Sequence, residues 1–268
     1  MKLKCLSNAL IAVTGLVSVA TGWAQTYQFE GSVTAGQTKF ENTAGAELSE
    51  DLLIGTFRYF LRPIASTDGP LAERAFIDKA AFVGARFYQL KAETGFTADV
   101  LSPQVRLVTQ SNLIVEAIYS QVKADGAEDR SEYSVGVGKY LDDRSEAVLT
   151  YSVPNDDRNI ITGRFKTLRP ASGQNKFMGF EAKLGYLNSE LDTGYQLELD
   201  GTYYFSNVLS AGAGLQYLKI SDFDETAFKL RGQYFISDKL FGNVDVLSAS
   251  NTSDISATRF SIGFGGRF

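Results

Sequence analysis

Residues 256–268 read SATRFSIGFGGRF. Counted back in twos from Phe268, they give Gly266, Phe264, Ile262 and Phe260. The intervening set is Arg267, Gly265, Gly263, Ser261 and Arg259. Successive side chains of a strand point to opposite sides, so this alternation marks a strand with one oily and one polar face. A single strand of this kind constrains the whole chain. Its oily face must be covered and its two edges must be paired.

The rest of the chain supplies the partners. Alternating segments recur at 26–39, 51–61, 80–91, 98–109, 112–123, 131–141 and 145–153. They continue at 158–168, 177–187, 194–204, 208–220, 226–236, 240–249 and 256–268. The first places Tyr27, Phe29, Gly31 and Val33 on one face and Gln28, Glu30, Ser32 and Thr34 on the other, and a polar stretch from Glu41 to Glu50 follows it. The weakest is 98–109, because Pro103 cannot donate to a ladder. Turn signals separate the clear ones, such as Leu141-Asp142-Asp143-Arg144, Ser206-Asn207 and Ser237-Asp238-Lys239.

Residues 1–24 stand apart. Lys2 and Lys4 precede an apolar run from Ala9 to Ala20, and Gly22-Trp23-Ala24 supplies the small residues of a cleavage site. This is expected to be a secretory signal peptide, too short to span a membrane. The single cysteine, Cys5, leaves with it, so no disulfide framework remains. The remainder, 25–268, forms one domain.

The strand spacing fits a membrane, where each crossing takes roughly 9–11 residues plus a turn. Lipid offers no hydrogen bonds to an open edge, so the sheet must close on itself. The expected fold is therefore all-β: a transmembrane antiparallel up-and-down β-barrel of about fourteen strands, within a range of roughly twelve to sixteen. The competing fold is a soluble β-sandwich. The chain holds 25 Gly, 19 Phe and 13 Tyr. Aromatics beside the turns, among them Tyr195, Tyr203, Tyr204, Phe205, Tyr234 and Phe235, are expected in interfacial girdles. With Phe268 at the periplasmic end, the turns at 206–207, 237–238, 141–144 and 110–112 fall on that side too, and an even strand count brings the first strand back to it.

Residues 62–79, RPIASTDGPLAERAFIDK, break the rhythm. Asp68 and Pro70 suit the start of a short helix through Leu71–Phe76. Two readings stand: a long surface turn, or a helix folded against or into the pore mouth.

If the polar faces point inward, the lumen receives Arg58, Arg86, Arg106, Arg164, Lys166, Lys183, Lys229 and Arg231, with Arg259 and Arg267 from the last strand. It also receives Glu30, Glu116, Glu132, Glu146, Glu181, Glu198, Asp200 and Asp245. Segregated charges would set up a transverse field that selects solutes, whereas charges paired across strands would simply fill the interior. Phe260, Ile262, Phe264 and Phe268 form the outward face of the strand that closes the barrel.

Little other chemistry is available. The net charge of −5 is spread along the chain and no basic patch suggests nucleic acid. With no histidine and no cysteine beyond the leader, transition-metal ligands are lacking. Asp142-Asp143 and Asp156-Asp157 could hold calcium, although paired acids in turns are ordinarily solvated. GFGG at 263–266 lies within a strand, where glycine permits close packing, rather than in a phosphate loop. No cofactor, metal or catalytic constellation is expected.

The leader, the strand–turn rhythm, the terminal Phe268 and the stretch GPLAERAF at 69–76 together resemble the porins of Gram-negative bacteria. The resemblance implies an outer-membrane barrel that passes small hydrophilic solutes or ions, surrounded by outer-membrane lipid. It also implies assembly by machinery that reads the C-terminal strand. A non-conducting barrel with a structural or adhesive role is the alternative. The barrel enzymes of phospholipase, palmitoyl transferase and protease types rely on histidine, so this chain is not expected to be an enzyme. One departure from large trimeric porins is that no outside loop is long enough to fold into the bore, which leaves the oligomeric state open.

Overall fold

The computed structural model describes residues 26–65, 68–154, 159–188 and 192–268. The leader expected over 1–24 and the turn acids Asp156 and Asp157 lie outside the described residues. Fourteen strands follow in chain order: β1 (Tyr27–Asn42), β2 (Glu47–Ile64), β3 (Phe82–Ala92), β4 (Thr97–Val108), β5 (Leu113–Ala124), β6 (Arg130–Asp142) and β7 (Ser145–Pro154). Then come β8 (Asn159–Pro170), β9 (Phe177–Asn188), β10 (Thr193–Tyr204), β11 (Leu209–Ile220), β12 (Phe223–Phe235), β13 (Leu240–Asn251) and β14 (Ile255–Arg267). Each pairs with its chain neighbours, and β14 returns to β1, so the sheet is a closed barrel.

The weak segment around Pro103 is a full strand. Pro103 falls at an interruption of the β4–β5 ladder, which pairs Leu101 with Gln121 and resumes at Gln104 with Ile118. The hydroxyls of Ser102 and Ser120, 2.9 Å apart, bridge the gap. The polar stretch Glu41–Glu50 proves to be mostly strand, because the β1–β2 ladder continues to Glu41 opposite Glu47.

Alternation sorts the side chains. Leu149, Leu184 and Phe228 face outward and are each about 60% exposed (59%, 61% and 62%). A water-soluble fold would not leave such a band uncovered on every strand; a membrane-spanning barrel needs it. A soluble sandwich is thereby excluded.

The seam departs from simple alternation at one point. The Phe268 carbonyl accepts from the backbone N–H of both Gln28 (2.7 Å) and Phe29 (2.8 Å). Two residues opposing one is a β-bulge, and it reverses the facing of everything before it. Phe29 therefore faces out while Tyr27 turns into the barrel. The expectation that Tyr27 shares the outer face with Phe29 fails for this reason. From Glu30↔Arg267 to Asn42↔Ile255 the β1–β14 register then runs without a break, with Phe260, Ile262 and Phe264 outward.

Candidate functional site: the lumen and its plug

Fourteen strands spaced about 4.8 Å and tilted about 40° enclose a backbone cylinder roughly 28 Å across. Wall side chains alone cannot fill that width. Something else must, or the bore stays wet.

At the end where β1 begins and β14 finishes, residues 68–81 before β3 fold into the barrel. A 3₁₀ turn at Leu71–Glu73 runs into α1 (Arg74–Ile77). The reading of 62–79 as a surface turn is overturned, and the alternative of a helix in the mouth is what the chain adopts. The strand before it also continues to Ile64, three residues into the expected insertion. Pro70 holds the N-cap position without a side-chain cap, so Asp68 is not the cap expected. The Leu71 N–H instead donates across the barrel to the Asn207 carbonyl at 2.9 Å. Gly69 makes the entry possible: its φ is +83°, and a Cβ there would lie 2.8 Å from Ile77 Cδ1.

The plug is anchored by packing on nearly all sides. Leu71 joins Phe235 and Phe241. Phe76 joins Ile114, Tyr140, Leu168, Phe177 and Tyr204. Ala75 packs on the cluster of Tyr27, Phe60, Ile64 and Ala80. Fully burying Leu71 and Phe76 contributes about 2–3 kcal/mol each. Gly265 leaves room for this arrangement, since a Cβ there would be 2.2 Å from the Phe241 ring.

Charges complete the seat. Glu73 of the plug accepts from Tyr204 Oη at 2.6 Å and pairs with Lys166 Nζ at 2.8 Å. Arg106 pairs with both Glu116 and Glu146 and donates to Tyr140 Oη at 3.2 Å. Arg164 reaches the same two carboxylates, at 2.8 Å and 3.2 Å. Two guanidinium groups and two carboxylates thus form one network of mutual ion pairs, in which Arg164 Nε alone is buried without a partner. Tyr140 Oη donates on to the Phe76 carbonyl at 3.2 Å, tying the network to α1. Across the barrel, Arg267 pairs with Glu30 (2.7 Å), donates to the Leu71 carbonyl (2.7 Å) and lies against the rings of Tyr27 and Phe235 at 4.7 and 4.8 Å. At those distances cation–π attraction adds to the hydrogen bonds.

The charged residues expected in the lumen divide into two groups. Arg106, Glu116, Arg164 and Lys166 are gathered against the plug. Most of the others pair along the wall: Lys183 with Glu198 (2.8 Å) and Glu181 (3.6 Å), Lys229 with Asp200 (2.8 Å) and Arg231 with Asp245 (2.9 Å). Arg58 makes one long contact with Glu30, at 3.4 Å. Arg86 lies on β3, paired in register with Thr56 and Ser102. Arg86 and Arg259 form no ion pair or hydrogen bond with a described residue. Above the plug a cavity of about 300 Å³ remains, lined by Arg58, Gln104, Arg106, Glu116, Arg164 and Lys166 with Ala75 and Phe76 as its floor. A larger hollow of about 590 Å³, between Val137, Leu149, Phe165 and Leu184, is an apolar furrow on the outer wall and lies outside the lumen. No group of three or more metal-ligating side chains occurs among the described residues.

Sequence reasoning missed the aromatic and plug residues of this site. Tyr204 and Phe235, expected in the interfacial girdle, are only 4% and 2% exposed and face inward. The signal was present as doublets. Tyr59-Phe60, Tyr203-Tyr204 and Tyr234-Phe235 each put two rings side by side, and alternation requires one of each pair to face the lumen. The inward rings of these three, Phe60, Tyr204 and Phe235, are buried at the plug end.

No protein-family model matches the chain, and no curated protein matches it in sequence at a significant level. Solved structures do match. Outer membrane protein Omp33 of Acinetobacter baumannii superposes with a TM-score of 0.64 at 20% identity, over 92% of this chain and 100% of that one. An outer membrane channel from Pseudomonas putida F1 gives 0.50 at 10% identity, over 94% and 100%. The β-domain of the Bordetella autotransporter Brka also gives 0.50, at 8% identity over 90% and 100%. At these identities the likeness is one of fold. The fold is that of the outer-membrane β-barrels, here with an internal plug at one end.

Proposed function

We propose that the chain is an outer-membrane porin-like channel for small hydrophilic solutes or ions. In the conformation described, 68–81 narrows its periplasmic mouth. The observation that carries this reading is the mismatch between a backbone cylinder roughly 28 Å across and a filling confined to one end. A structural barrel has no need of an inner wall of ion pairs such as Lys183–Glu198 and Arg231–Asp245 along its free length. The leader at 1–24 exports the chain, and β14 presents the strand that assembly machinery reads.

Planar-bilayer recording tests the proposal. Wild-type protein should give small or infrequent steps, and a variant with 68–79 replaced by a short Gly-Ser link should give larger, steadier ones. Absence of conductance from both, with heat-modifiable gel mobility showing folded barrels, would remove the channel reading. A non-conducting barrel is the second reading, favoured by the ring of contacts that holds the plug, and the same pair of recordings separates the two.

A further inference from the structure

We propose that the junction of plug and wall is a binding site for a small oxyanion, a carboxylate or phosphate, held by Arg74 and the Tyr27 hydroxyl. The inference rests on the plug's seat and does not depend on conduction. Arg74 opens α1 and is only 8% exposed. Its neighbour Glu73 is engaged by Tyr204 and Lys166, yet the side chain of Arg74 forms no hydrogen bond or ion pair with any described residue. Its Nε is sealed from solvent without a partner. Beside it Tyr27, 4% exposed, has a buried hydroxyl that is likewise without a partner.

The carboxylates nearest this point are engaged by other partners. The Tyr27 hydroxyl lies in the field of Arg267, Glu30, Arg74 and Asp78. Glu30 is shared by Arg267 and Arg58, and Arg58 Nε is also buried without a partner. Asp78 accepts from the Ala65 N–H at 2.7 Å. Two guanidinium groups and two carboxylates thus meet at this point, and the Arg74 side chain is bonded to neither Glu30 nor Asp78. A buried charge without a counter-charge is costly, and a group that can titrate escapes the cost by neutralising. Arginine cannot, because its pKa is too high. Water would satisfy hydrogen bonds but leave the charge. A planar fork of donors with a hydroxyl beside it instead matches the two-oxygen edge of an oxyanion.

Thermal unfolding of the full mature barrel in a zwitterionic detergent at low ionic strength gives the test. Inorganic phosphate and acetate are the two probes, and sodium chloride matches ionic strength. The wild-type midpoint should rise by several degrees and saturate with at least one oxyanion. Arg74→Gln should weaken that response at least tenfold in apparent affinity, and Tyr27→Phe should weaken it less. Without added oxyanion, Arg74→Gln should be at least as stable as wild type, because it removes an unpaired buried charge. A purely structural arginine would instead lower the midpoint. A wild-type barrel with no saturable response, or an Arg74→Gln barrel that responds like wild type, overturns the site. Should Arg74→Gln fail to assemble, Arg74→Lys keeps the charge and loses the fork. Undiminished affinity in Arg74→Lys would then count against the proposal, and a tenfold loss would support it.

Discussion

The two ends of this barrel are built from different materials. At the plug end the inward side chains are large: Tyr27, Phe60, Tyr140, Leu168, Tyr204, Phe235 and Phe241 are all buried. Farther along, the same strands turn small hydroxyl residues inward, and these meet in cross-strand pairs: Ser32 with Thr56 (2.6 Å), Ser102 with Ser120 (2.9 Å) and Ser134 with Ser152 (2.7 Å). One strand thus changes from a core strand to a channel strand within a few residues. The fold does not require this change, since an empty barrel closes equally well by its backbone ladder. What it serves is the plug. Residues 68–81 have too little apolar surface to be stable alone, and they find a seat only where the wall offers rings and paired charges.

If the difference is real, the largest effects should come from breaking the plug seat. Glu146 is 2% exposed and shared by Arg106 and Arg164. Glu146→Gln leaves two guanidinium groups competing for Glu116, and removing one partner of a buried pair costs about 3–5 kcal/mol. The urea midpoint in detergent should fall accordingly, and channel steps should become larger as the floor under Phe76 loosens. Unchanged stability would mean that water already screens the network. Phe76→Ala acts from the plug side. It removes a ring packed on Tyr140 at a centroid distance of 5.7 Å and should cost about 3 kcal/mol or more, again with larger steps. A lower midpoint with unaltered conductance would show that the plug does not set the narrow point.

The wall was legible in the sequence and its filling was not, for a physical reason. Alternation is a local property, written every two residues, so each strand from 26–39 to 256–268 could be recognised by itself. Its exceptions are also local but are written in the partner strand. Nothing near Tyr27 announces that Phe268 will bond two successive residues and turn Tyr27 inward. The plug posed the same difficulty. Leu71 and Phe76 are as compatible with a surface turn as with a buried one, and only the rings of β10, β12 and β13 decide between them. The aromatic doublets held that information, but only once one end of the barrel is known to need filling. Charge was readable as inward and unreadable as paired, because Arg106 meets Glu146 across 40 residues of chain.

The far wall predicts a different kind of effect. Arg86 and Arg259 have no partner among the described residues, so removing them breaks no contact. The double variant Arg86→Gln with Arg259→Gln should leave the urea midpoint within about 0.5 kcal/mol, as expected away from packed or paired groups. It should shift the reversal potential in a salt gradient toward cations. Arg106→Gln should do the reverse: lose stability and leave selectivity nearly as it was. An equal selectivity shift from both would erase the distinction between seat and channel.

The smallest expected effect gives the cleanest comparison, because the same chemical change can be made in both regions. Ser134 and Ser152 share one hydroxyl contact on a half-exposed stretch of wall. Ser134→Ala should cost about 0.5 kcal/mol, since water replaces what is lost. Ser145, at the plug end, is buried and bonded to Thr167 (2.8 Å), Asp142 (3.1 Å) and Arg169 (2.9 Å). Ser145→Ala removes a buried hydroxyl with three contacts; Asp142 and Arg169 reach solvent and keep their own pair at 2.8 Å, so the cost should be about 1–1.5 kcal/mol, still above that of Ser134→Ala. Equal costs, measured by urea unfolding of the two variants, would mean that water reaches the plug end as freely as the channel. The seat would then be a wet constriction, and the stability assigned to its ion pairs would have to be lowered to match.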